Sequence, residues 1–415
     1  MSELYTLPDG WEWKTFDDEL ILIQNGLSDT QNDDKIGYPI SRIETIQNET
    51  LDSNRIKYVD IDNYSIIEKY KYDYGDLLFS HINSFEKVGK TCLYTNQIDN
   101  LLHGVNLLRM KFTRNVISKF VFYYLISNVS RRFYEPHIKK AINQASINQK
   151  NIKSIPLPLP PLEEQKRIVA KLDNLFAKID KAIALHQKNI DEANVFMASV
   201  LDDVFVELEE KYGLDNIGNM IDILTDYHSN GAYKNLKENV ELLDKEDYAL
   251  MIRATDLENE DYSKNVKYIT ESAYNFMSKS KVFGGEIILP KIGTIGNVYF
   301  MPYLERPVSL AMNLFMLRCS DKVMNKYMFL FLKSSRGNED ILNKANGAVT
   351  KTITKDAVRS IELPFPPIEV QKKVVSYLDE ISQKMEKIKQ IQKEKMQSLK
   401  ALKASILDQA FKGEL

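Results

Sequence analysis

This chain repeats the stretch Ile155-Pro156-Leu157-Pro158-Leu159-Pro160-Pro161-Leu162-Glu163-Glu164-Gln165 as Ile361-Glu362-Leu363-Pro364-Phe365-Pro366-Pro367-Ile368-Glu369-Val370-Gln371, 206 residues further along. The offset of 206 then holds without a gap as far as Phe205 and Phe411. A repeat of this length predicts two structural units of one kind, related by an approximate two-fold axis.

A long helix is predicted after each copy of the repeat. The proline pairs Pro160-Pro161 and Pro366-Pro367 favour extended backbone before them and cannot continue a helix, so each pair marks a boundary. Behind the first pair, apolar or small residues recur in steps of three and four, as in Leu172, Leu175 and Ile179, which is the spacing of one helix face. Neither run contains Gly or Pro for roughly 45 residues, so both helices are expected to be long and continuous.

The two helices are predicted to pair with each other. Each carries one apolar stripe that needs a partner, and the other copy lies in the same chain. Because a globular segment separates the copies, we predict antiparallel packing. The predicted fold class is α/β (α+β): two modules with twisted β-sheets and flanking helices, joined by two long antiparallel helices that form an intramolecular coiled coil with pseudo-two-fold symmetry.

The segments that precede the two repeats are predicted to share one fold. The first contains short β-rich pieces and then a helix over 118–128, and the second follows the same plan. Arg253-Ala254-Thr255 matches Arg42-Ile43-Glu44, for example, while the loop sequences diverge. The predicted division of the chain is 1–158 for the first module, 159–211 for the first helix, 212–364 for the second module and 365–415 for the second helix.

Composition indicates a cytoplasmic protein without a membrane segment. The 415 residues are 44% hydrophobic and 27% charged, which is ordinary for a globular protein. The chain start lacks the pattern of a secretion signal, and the apolar stretches are too short to cross a bilayer. Cys92 and Cys319 form no CxxC pair, which fits a reducing compartment. Because the net charge is −3, any nucleic-acid surface must be local.

The sequence predicts no complete active site. Gly89-Lys90-Thr91 looks like the end of a phosphate-binding loop, but Ser84 stands where the first glycine is required, and the following residues favour a strand. The five histidines are scattered, and no His-Glu-x-x-His motif occurs. We therefore predict no catalytic residue and no metal site in this chain.

Polar, basic and aromatic residues in loops are candidates for DNA contact. Ser130-Arg131-Arg132-Phe133-Tyr134 interleaves cations and rings, as segments that contact phosphates do, although a solvated helix face would give the same pattern. The loops 80–90 and 290–297 join equivalent strands and carry side chains that can reach base edges. The candidate DNA contacts are Arg42, His81, Asn83, Lys87, Lys90, Arg131, Arg132, Lys139, Lys140, Arg253, Lys291, Thr294, Asn297 and Lys351.

The whole chain resembles the specificity subunit of Type I restriction-modification systems. The resemblance rests on the repeated Pro-x-Pro-Pro-x-Glu-x-Gln element before a long helix, on the Leu-Pro-x-Gly-Trp opening at residues 7–11, and on two divergent modules placed before the repeats. Two further matching segments, Gln144-Ala145-Ser146-Ile147-Asn148 and Ala348-Val349-Thr350-Lys351-Thr352-Ile353, precede the two proline elements.

This resemblance implies that residues 1–158 and 212–364 are target-recognition domains, each reading half of a split site in double-stranded DNA. It also implies that the paired helices are a spacer and a docking surface for two methyltransferase subunits, which nuclease/translocase subunits join. S-adenosylmethionine, ATP and Mg are then expected in those partners, with no cofactor in this chain. The residues expected to dock partners are Pro160, Pro161, Gln165, Pro366, Pro367 and Gln371.

Two other interpretations remain open on the sequence. The chain could be the specificity component of a Type II-like or orphan methyltransferase system, which changes the assembly but not the DNA binding. It could instead be a coiled-coil interaction scaffold whose modules bind protein, although two divergent modules of one plan are then unexplained. Salt-dependent duplex binding separates the scaffold from the DNA reader, because phosphate contacts impose a steep loss of affinity with salt.

Overall fold

The computed structural model describes residues 4–347 and 350–415, so Ala348 and Val349 of the segment before the second repeat lie outside the described residues. By its internal contacts the chain divides into two compact units. The first contains the residues up to Gln187 together with Lys393–Leu415, and the second contains Lys188–Gln392. Each unit thus combines one module with parts of both long helices, and the predicted functional division at 158, 211 and 364 stays a prediction.

The first unit is built mainly from short strands. Its strands are β1 (Glu12–Thr15), β2 (Leu20–Asn25), β3 (Tyr38–Ile40), β4 (Ile46–Gln47), β5 (Thr50–Leu51), β6 (Lys57–Val59), β7 (Leu77–Ser80), β8 (Ile82–Asn83), β9 (Thr91–Leu93), β10 (Leu107–Phe112), β11 (Lys139–Lys140), β12 (Ala145–Ser146) and β13 (Pro156–Leu159). Its helices are α1 (Phe16–Glu19), α2 (Tyr64–Tyr70), α3 (Ser118–Leu125), α4 (Asn128–Tyr134), α5 (Gln149–Lys153) and the first part of α6 (Leu162–Tyr212).

A four-stranded antiparallel sheet in the order β2-β10-β7-β9 is the centre of the first unit. Its middle strands bury Leu77, Phe79 and Leu108 in one core with Phe120 and Tyr124 of α3. The sheet β11-β12-β8 and the pairs β1-β13, β3-β6 and β4-β5 accompany it. The strand β9 follows Gly89-Lys90 directly, so this glycine turn leads into a strand as predicted and not into the helix of a phosphate-binding loop.

The second unit repeats this plan with a larger accessory sheet. Its strands are β14 (Leu214–Asn216), β15 (Ile221–Asp226), β16 (Ala249–Ile252), β17 (Lys267–Ile269), β18 (Lys281–Val282), β19 (Ile287–Pro290), β20 (Tyr299–Phe300), β21 (Val308–Leu310), β22 (Leu314–Cys319) and β23 (Glu362–Pro364). Its helices are α7 (Tyr233–Asn239), α8 (Ala254–Glu258), α9 (Glu271–Phe276), α10 (Asn325–Lys333), α11 (Ser335–Asn343), α12 (Lys355–Arg359) and the first part of α13 (Ile368–Lys412).

The main sheet of the second unit has the order β15-β22-β19-β20 and matches the first unit strand for strand. Leu314 of β22 faces Pro290 of β19, as Leu107 of β10 faces Ser80 of β7. The accessory sheet β17-β16-β21-β18 contains one parallel pair, β16 with β21. The central sheets of the two modules therefore have the same strand order, and the modules differ in the segments inserted between those strands.

The long helices pair antiparallel within each unit, as the repeat predicts. In the first unit, Arg167 of α6 donates to the carbonyl oxygen of Leu415 at 2.8 Å, while Lys403 of α13 lies 3.4 Å from Asp180. In the second unit, Asn189 donates to Gln392 and Lys389 donates to Asn194. In both units, moving forward on α6 means moving backward on α13. The helices are 51 and 45 residues long, so the predicted continuous runs are confirmed.

Both repeats make the same hydrogen bonds at the start of the long helix. The buried Gln165 amide accepts from the Ile117 backbone N–H at 2.9 Å and donates to the carbonyl oxygens of Asn115 and Pro160 at 2.9 and 3.0 Å. Gln371 makes the three equivalent bonds in the second unit. Since a buried amide that loses its partners is costly, these bonds hold each helix start to the module before it.

The end of each long helix packs on the module of the other repeat. In the first unit, Phe411 of α13 stacks edge-on against Phe120 and Tyr124 of α3, with ring centroids 5.1 Å apart in both pairs. In the second unit, Phe205 of α6 packs in the same way on α10. The repeat symmetry predicted from the sequence is therefore present in the contacts.

The helix predicted over 118–128 is in fact two helices. Helix α3 ends at Leu125, and α4 begins at Asn128 because the Ser127 side chain accepts a hydrogen bond from the Ser130 backbone N–H and caps the new helix. The candidate segment 130–134 consequently lies on α4. The Leu-Pro-x-Gly-Trp opening forms a turn, since the Trp11 backbone N–H donates to the Pro8 carbonyl at 3.1 Å.

Candidate nucleic-acid interface

Two segments that the sequence predicts to contact DNA lie side by side in the first unit. Strand β8, which follows β7, pairs with β12 through Asn83 opposite Ala145 and Ile82 opposite Ser146. Strand β12 in turn forms a hairpin with β11, Lys139–Lys140. The hairpin and the loop after β7 thus form one small antiparallel sheet.

The second unit joins the equivalent segments in the same way. Thr352 forms bridges with both Ile292 and Asn346, and the Ile353 backbone N–H donates to the Lys291 carbonyl at 3.1 Å. The loop after β19 is therefore hydrogen-bonded to the segment before α12. This loop-and-hairpin element occurs once in each unit, and we treat it as the candidate interface.

Seven of the candidate DNA contacts have exposed side chains. They are Lys87, Arg132, Lys139 and Lys140 in the first unit, and Thr294, Asn297 and Lys351 in the second. Thr294 donates to Glu258 at 3.2 Å and Asn297 donates to the Tyr299 hydroxyl at 3.0 Å, so both are oriented by neighbours while they face solvent. These seven residues supply the ammonium, guanidinium, hydroxyl and amide groups that read phosphates and base edges.

Arg131 has a structural task in the first unit. Its guanidinium donates to the carbonyl oxygens of Phe85, Glu86 and Val88 at 3.4 Å each, and it forms an ion pair with Glu135. These bonds fix helix α4 to the turn after β8. The guanidinium is thus engaged by its own unit, and the geometry favours the exposed residues over it as phosphate contacts.

Arg42 and Arg253, which the sequence aligns with each other, both stabilise the start of a helical turn. Arg42 pairs with Glu44 at 3.0 Å. Arg253 pairs with Asp256 at 2.6 Å and donates to the Asn265 carbonyl at 2.6 Å. Their equivalence is confirmed, but each is held by an acid close in sequence, so the geometry again favours other residues as DNA contacts.

Lys291 is the centre of a compensated charge cluster in the second unit. Its ammonium lies 2.6 Å from one carboxylate oxygen of Asp226, and Lys355 lies 2.9 Å from the other. Burial raises the pKa of the Asp226 carboxyl, but hydrogen bonds from Lys291, Ser229 and Lys355 outweigh burial and hold the pKa well below its usual range. The Lys291 ammonium is therefore paired with an ionised carboxylate, and this ion pair was not predicted from the sequence.

Three further candidates are half-buried in the first unit. Burial lowers the pKa of His81, so its ring is neutral at neutral pH. Burial also lowers the pKa of Lys90, and the charges of Lys87 and Arg55 lower it further. Asn83 is fixed by the pairing of β8 with β12. His81 and Asn83 lie beside the hairpin, whereas the Lys90 ammonium donates to the Ile46 carbonyl at 3.4 Å. The prediction of these three residues as base contacts stays a prediction.

The residues predicted to dock partners fall into two sets. Pro161 and Pro367 are exposed, whereas Pro160, Gln165, Pro366 and Gln371 are buried. Both glutamine amides make hydrogen bonds inside their own units and anchor the long helices, so their predicted role in docking stays a prediction. The exposed prolines keep the predicted docking role as a prediction.

Residues 4–347 and 350–415 form neither a cluster of metal ligands nor a helix that could span a membrane. These residues contain no group of three or more His, Cys, Asp or Glu that could hold a metal ion. Among the helices they form, none is long and apolar enough to span a bilayer. Burial raises the pKa of both Cys92 and Cys319 to about 12, which makes them poor nucleophiles.

The model of the Type I restriction modification DNA specificity domain matches this chain twice, over residues 8–193 and 216–395. The chain belongs to this family. It is a DNA-recognition component of a Type I restriction-modification system, as the sequence predicts, and the family match does not favour the scaffold or orphan alternatives.

Relatives of this specificity subunit match over different lengths. The type I restriction enzyme MjaX specificity subunit of Methanocaldococcus jannaschii is 32% identical over 421 residues, which cover 96% of this chain and 93% of that protein. The EcoKI specificity subunit of Escherichia coli K12 is 31% identical over 192 residues, or 46% of this chain and 41% of that protein. The first match spans both modules, whereas the second is partial.

Solved structures share the fold of this specificity subunit. A chain from a study of complex assembly and conformational transition of the type I R-M system aligns with a TM-score of 0.72 and 18% identity, covering 99% of this chain and 100% of that one. The HsdS subunit from Thermoanaerobacter tengcongensis aligns with a TM-score of 0.51 and 18% identity over 99% of both chains. At this identity the likeness concerns the fold alone.

Sequence reasoning missed three residues at the interface of the specificity subunit. Asp226 and Lys355 complete the cluster around Lys291, but 65 and 64 residues separate them from it, so no local spacing signals the contact. Ile142 lies between the two strands of the first hairpin and is completely exposed. Its signal was available, since an isoleucine stands alone among polar residues in a predicted loop.

Proposed function

We propose that each unit of this specificity subunit reads one half of a bipartite target in double-stranded DNA. The proposal rests on one observation: both units hydrogen-bond the loop after the same sheet strand to the hairpin before α5 or α12. A two-stranded ribbon such as β11-β12 of the first unit can enter a groove of B-DNA. Because the equivalent segments of the two units carry different side chains, two unlike half-sites are expected.

Charge around the first hairpin supports this proposal. Residues 130–153 contain six lysines and arginines and one acidic residue, although the whole chain has a net charge of −3. The segment 336–359, equivalent by the offset of 206, contains five lysines and arginines and three acidic residues. A local excess of cations on a weakly acidic protein is the electrostatic footprint of a phosphate-contacting surface.

The long helices are the proposed docking surface for two methyltransferase subunits, which nuclease/translocase subunits would join. The first unit exposes Leu185 and Leu402 on these helices, and the second exposes Ile391 and Phe196, with exposed fractions between 39% and 53%. Leu185 is equivalent to Ile391, and Phe196 to Leu402, by the offset of 206. Large apolar side chains kept exposed at equivalent places suit two partners of one kind.

On this proposal the chain selects DNA and its partners perform the chemistry. S-adenosylmethionine, ATP and Mg would bind to the methyltransferase and nuclease subunits. Methylation and cleavage would then take place where DNA metabolism does, in the cytoplasm.

The test is a pair of variants read by methylation mapping and by duplex binding in the complex reconstituted with the methyltransferase. We expect the double variant Lys139→Ala, Lys140→Ala to weaken binding and to lower the slope of log affinity against log salt by up to about two, because each lost phosphate contact accounts for about 0.9. The double variant Asn297→Ala, Lys351→Ala is expected to relax the other half-site only. Lys69→Ala, on α2 of the first unit, is the matched control and should change neither.

The mapping separates the possible outcomes. Loss of recognition confined to one half-site in each variant supports the proposal. Loss of both half-sites together, or an unchanged salt slope in the double lysine variant, would show that the hairpins do not read DNA separately and would overturn it.

A further inference from the structure

The tip of the first hairpin presents an apolar side chain that has no packing role in its own unit. The turn between β11 and β12 covers residues 141–144 and is closed by a hydrogen bond of 2.8 Å from the Ala141 N–H to the Gln144 carbonyl. Ile142 stands in this turn with 100% of its side chain exposed. Burying an isoleucine side chain is favourable by about 1.5–3 kcal/mol, so a partner that covers Ile142 gains that stabilisation.

The base of this hairpin is firmly held. Ala145 pairs with Asn83 of β8, and the Ile147 backbone N–H donates to the His81 carbonyl at 2.9 Å. The Lys140 ammonium lies 3.8 Å from the centre of the Phe85 ring. Ala145 and Ile147 are themselves buried. Because its base is fixed, the hairpin carries its tip as a preformed element and little ordering is needed when a partner binds.

The surroundings of the tip determine which partner fits. Lys139 and Lys140 are exposed on the strand that leads into the turn. With the surrounding excess of cations in residues 130–153, this surface attracts a polyanion and does not resemble the apolar patch of a protein interface. Proteins that enter the minor groove and deform duplex DNA combine such cations with an Ile, Leu, Met or Phe that inserts between base pairs, and a two-stranded ribbon can reach that groove.

We propose that Ile142 is a wedge that enters the base stack of the half-site read by the first unit. Lys139 and Lys140 would contact the phosphates beside the entry point, and the isoleucine would unstack one base step and kink the duplex. This inference rests on the proposed function, since it requires that the hairpin meets DNA.

The experiment uses the complex reconstituted with the methyltransferase and a duplex that contains the target found by methylation mapping. 2-Aminopurine replaces successive purines through the half-site of the first unit, because its fluorescence rises when it is unstacked. We expect the unaltered complex to raise the fluorescence at one step. Ile142→Ser should abolish that rise and weaken binding on the order of tenfold, while the salt slope stays unchanged because the phosphate contacts remain.

Two further variants control for size and for exposure. Ile142→Met keeps a large apolar side chain and should retain the fluorescence rise. Ile21→Ser changes an exposed isoleucine on β2 of the same unit and should have no effect on fluorescence or affinity. Ile142 is completely exposed, so its replacement by serine removes no packing inside the chain.

The outcomes distinguish this inference from the proposed function. If the unaltered complex does not prefer the mapped duplex to an unrelated one, the proposed function itself fails. If it does prefer it, and Ile142→Ser leaves the fluorescence rise intact, the wedge is wrong while the function stands. If Ile142→Ser instead releases the methyltransferase on gel filtration, the tip contacts protein and the wedge is again wrong.

Discussion

The two units share the contacts that build them but differ in the charge beside the candidate interface. In the second unit, Asp226 ends β15 and forms an ion pair with Lys355, the first residue of α12. In the first unit, Asn25 ends β2 and accepts a neutral hydrogen bond of 3.1 Å from Gln149, the first residue of α5. One structural position thus holds an ion pair in one unit and a pair of amides in the other.

The next residue of the interface follows the same division. Lys291 comes directly after β19 and is charged and compensated, whereas His81 comes directly after β7 and is neutral because it is half-buried. The second unit therefore neutralises Lys291 and Lys355 internally, whereas the first unit leaves Lys139 and Lys140 exposed. This difference teaches that the sheet and helices form a constant frame, while the residues beside the loop set how strongly each unit attracts phosphate.

The largest effect is expected from the frame itself. Phe205 and Phe411 are buried at equivalent positions, and each packs on two aromatic rings of a short helix. Phe205→Ala and Phe411→Ala should each lower the free energy of unfolding by about 3–5 kcal/mol, because a large side chain is lost from a packed core. Urea unfolding measures the cost, and hydrogen exchange over 325–333 and 118–125 shows which unit is loosened.

The control is Phe196→Ala, which removes an exposed phenylalanine from α6 and should cost little. If the frame is common to both units, the two core variants cost the same within about 1 kcal/mol, and each accelerates exchange in its own unit. If the two losses in the free energy of unfolding differed severalfold, the equivalent contacts of the two units would not contribute equally to stability.

Much of the frame of sheets and helices could be predicted, because a repeat shows in the sequence which distant segments are structurally equivalent. The offset of 206 locates both long helices, and their apolar stripes predict the antiparallel pairing that each unit shows. The roles of Gln165 and Gln371 could not be read in this way. Each glutamine bonds to backbone atoms about 50 residues away, and a backbone partner leaves no mark in the sequence.

The candidate site was predictable in composition but not in partnership. The exposed lysines of β11 and the loops after β7 and β19 were found because cations in loops are a local signal. The hydrogen bonds from Arg131 to three backbone carbonyls could not be predicted, and neither could the ion pair between Lys291 and Asp226, because the partners are far apart in sequence in both cases. The pairing of Arg253 with Asp256 was available, because a spacing of three before a short helix is a recognisable capping pattern.

A medium effect is expected when Asp226 of the second unit is replaced by asparagine, the residue that stands at the equivalent position, Asn25, in the first unit. Asp226→Asn leaves Lys291 and Lys355 without their ionised partner, and since hydrogen bonds to charged groups are worth about 1.5–3 kcal/mol, we expect a loss of about 2 kcal/mol in the free energy of unfolding at pH 7. The same change frees two cations beside the loop. The salt slope of duplex binding should therefore become steeper, by up to about 0.9 for each new phosphate contact.

The pH dependence of this variant has a definite sign. The pKa of Asp226 is lower in the folded chain than the value of about 3.9 expected when unfolded, so its stabilising effect is fully present above that value and is lost as the pH falls towards the folded pKa. The difference in stability between the two proteins should hold from about pH 7 to pH 5 and shrink below about pH 4. Asn25→Asp is the reciprocal variant. A difference that stays constant down to about pH 3 would show that folding does not lower the pKa of Asp226.

The smallest effect concerns a charge in the helix seam that the repeat does not share. Lys403 of α13 lies 3.4 Å from Asp180, 3.7 Å from Glu49 and 4.8 Å from the centre of the Phe176 ring, whereas Met197 occupies the equivalent position on α6 and packs on an apolar core. Lys403→Met should change the free energy of unfolding by less than about 1 kcal/mol, because the loss of a partly exposed ion pair is offset by the burial of an apolar side chain. The effect should depend on salt: raising the salt from about 0.05 M to about 0.5 M should lower the free energy of unfolding of the unaltered chain by a few tenths of a kcal/mol more than that of the variant.

The reciprocal change Met197→Lys buries part of an ammonium against an apolar core, so it should be clearly destabilising. If Lys403→Met and Met197→Lys changed the free energy of unfolding equally, Asp180 and Glu49 would not stabilise Lys403. The two seams would then be interchangeable in charge as well as in shape.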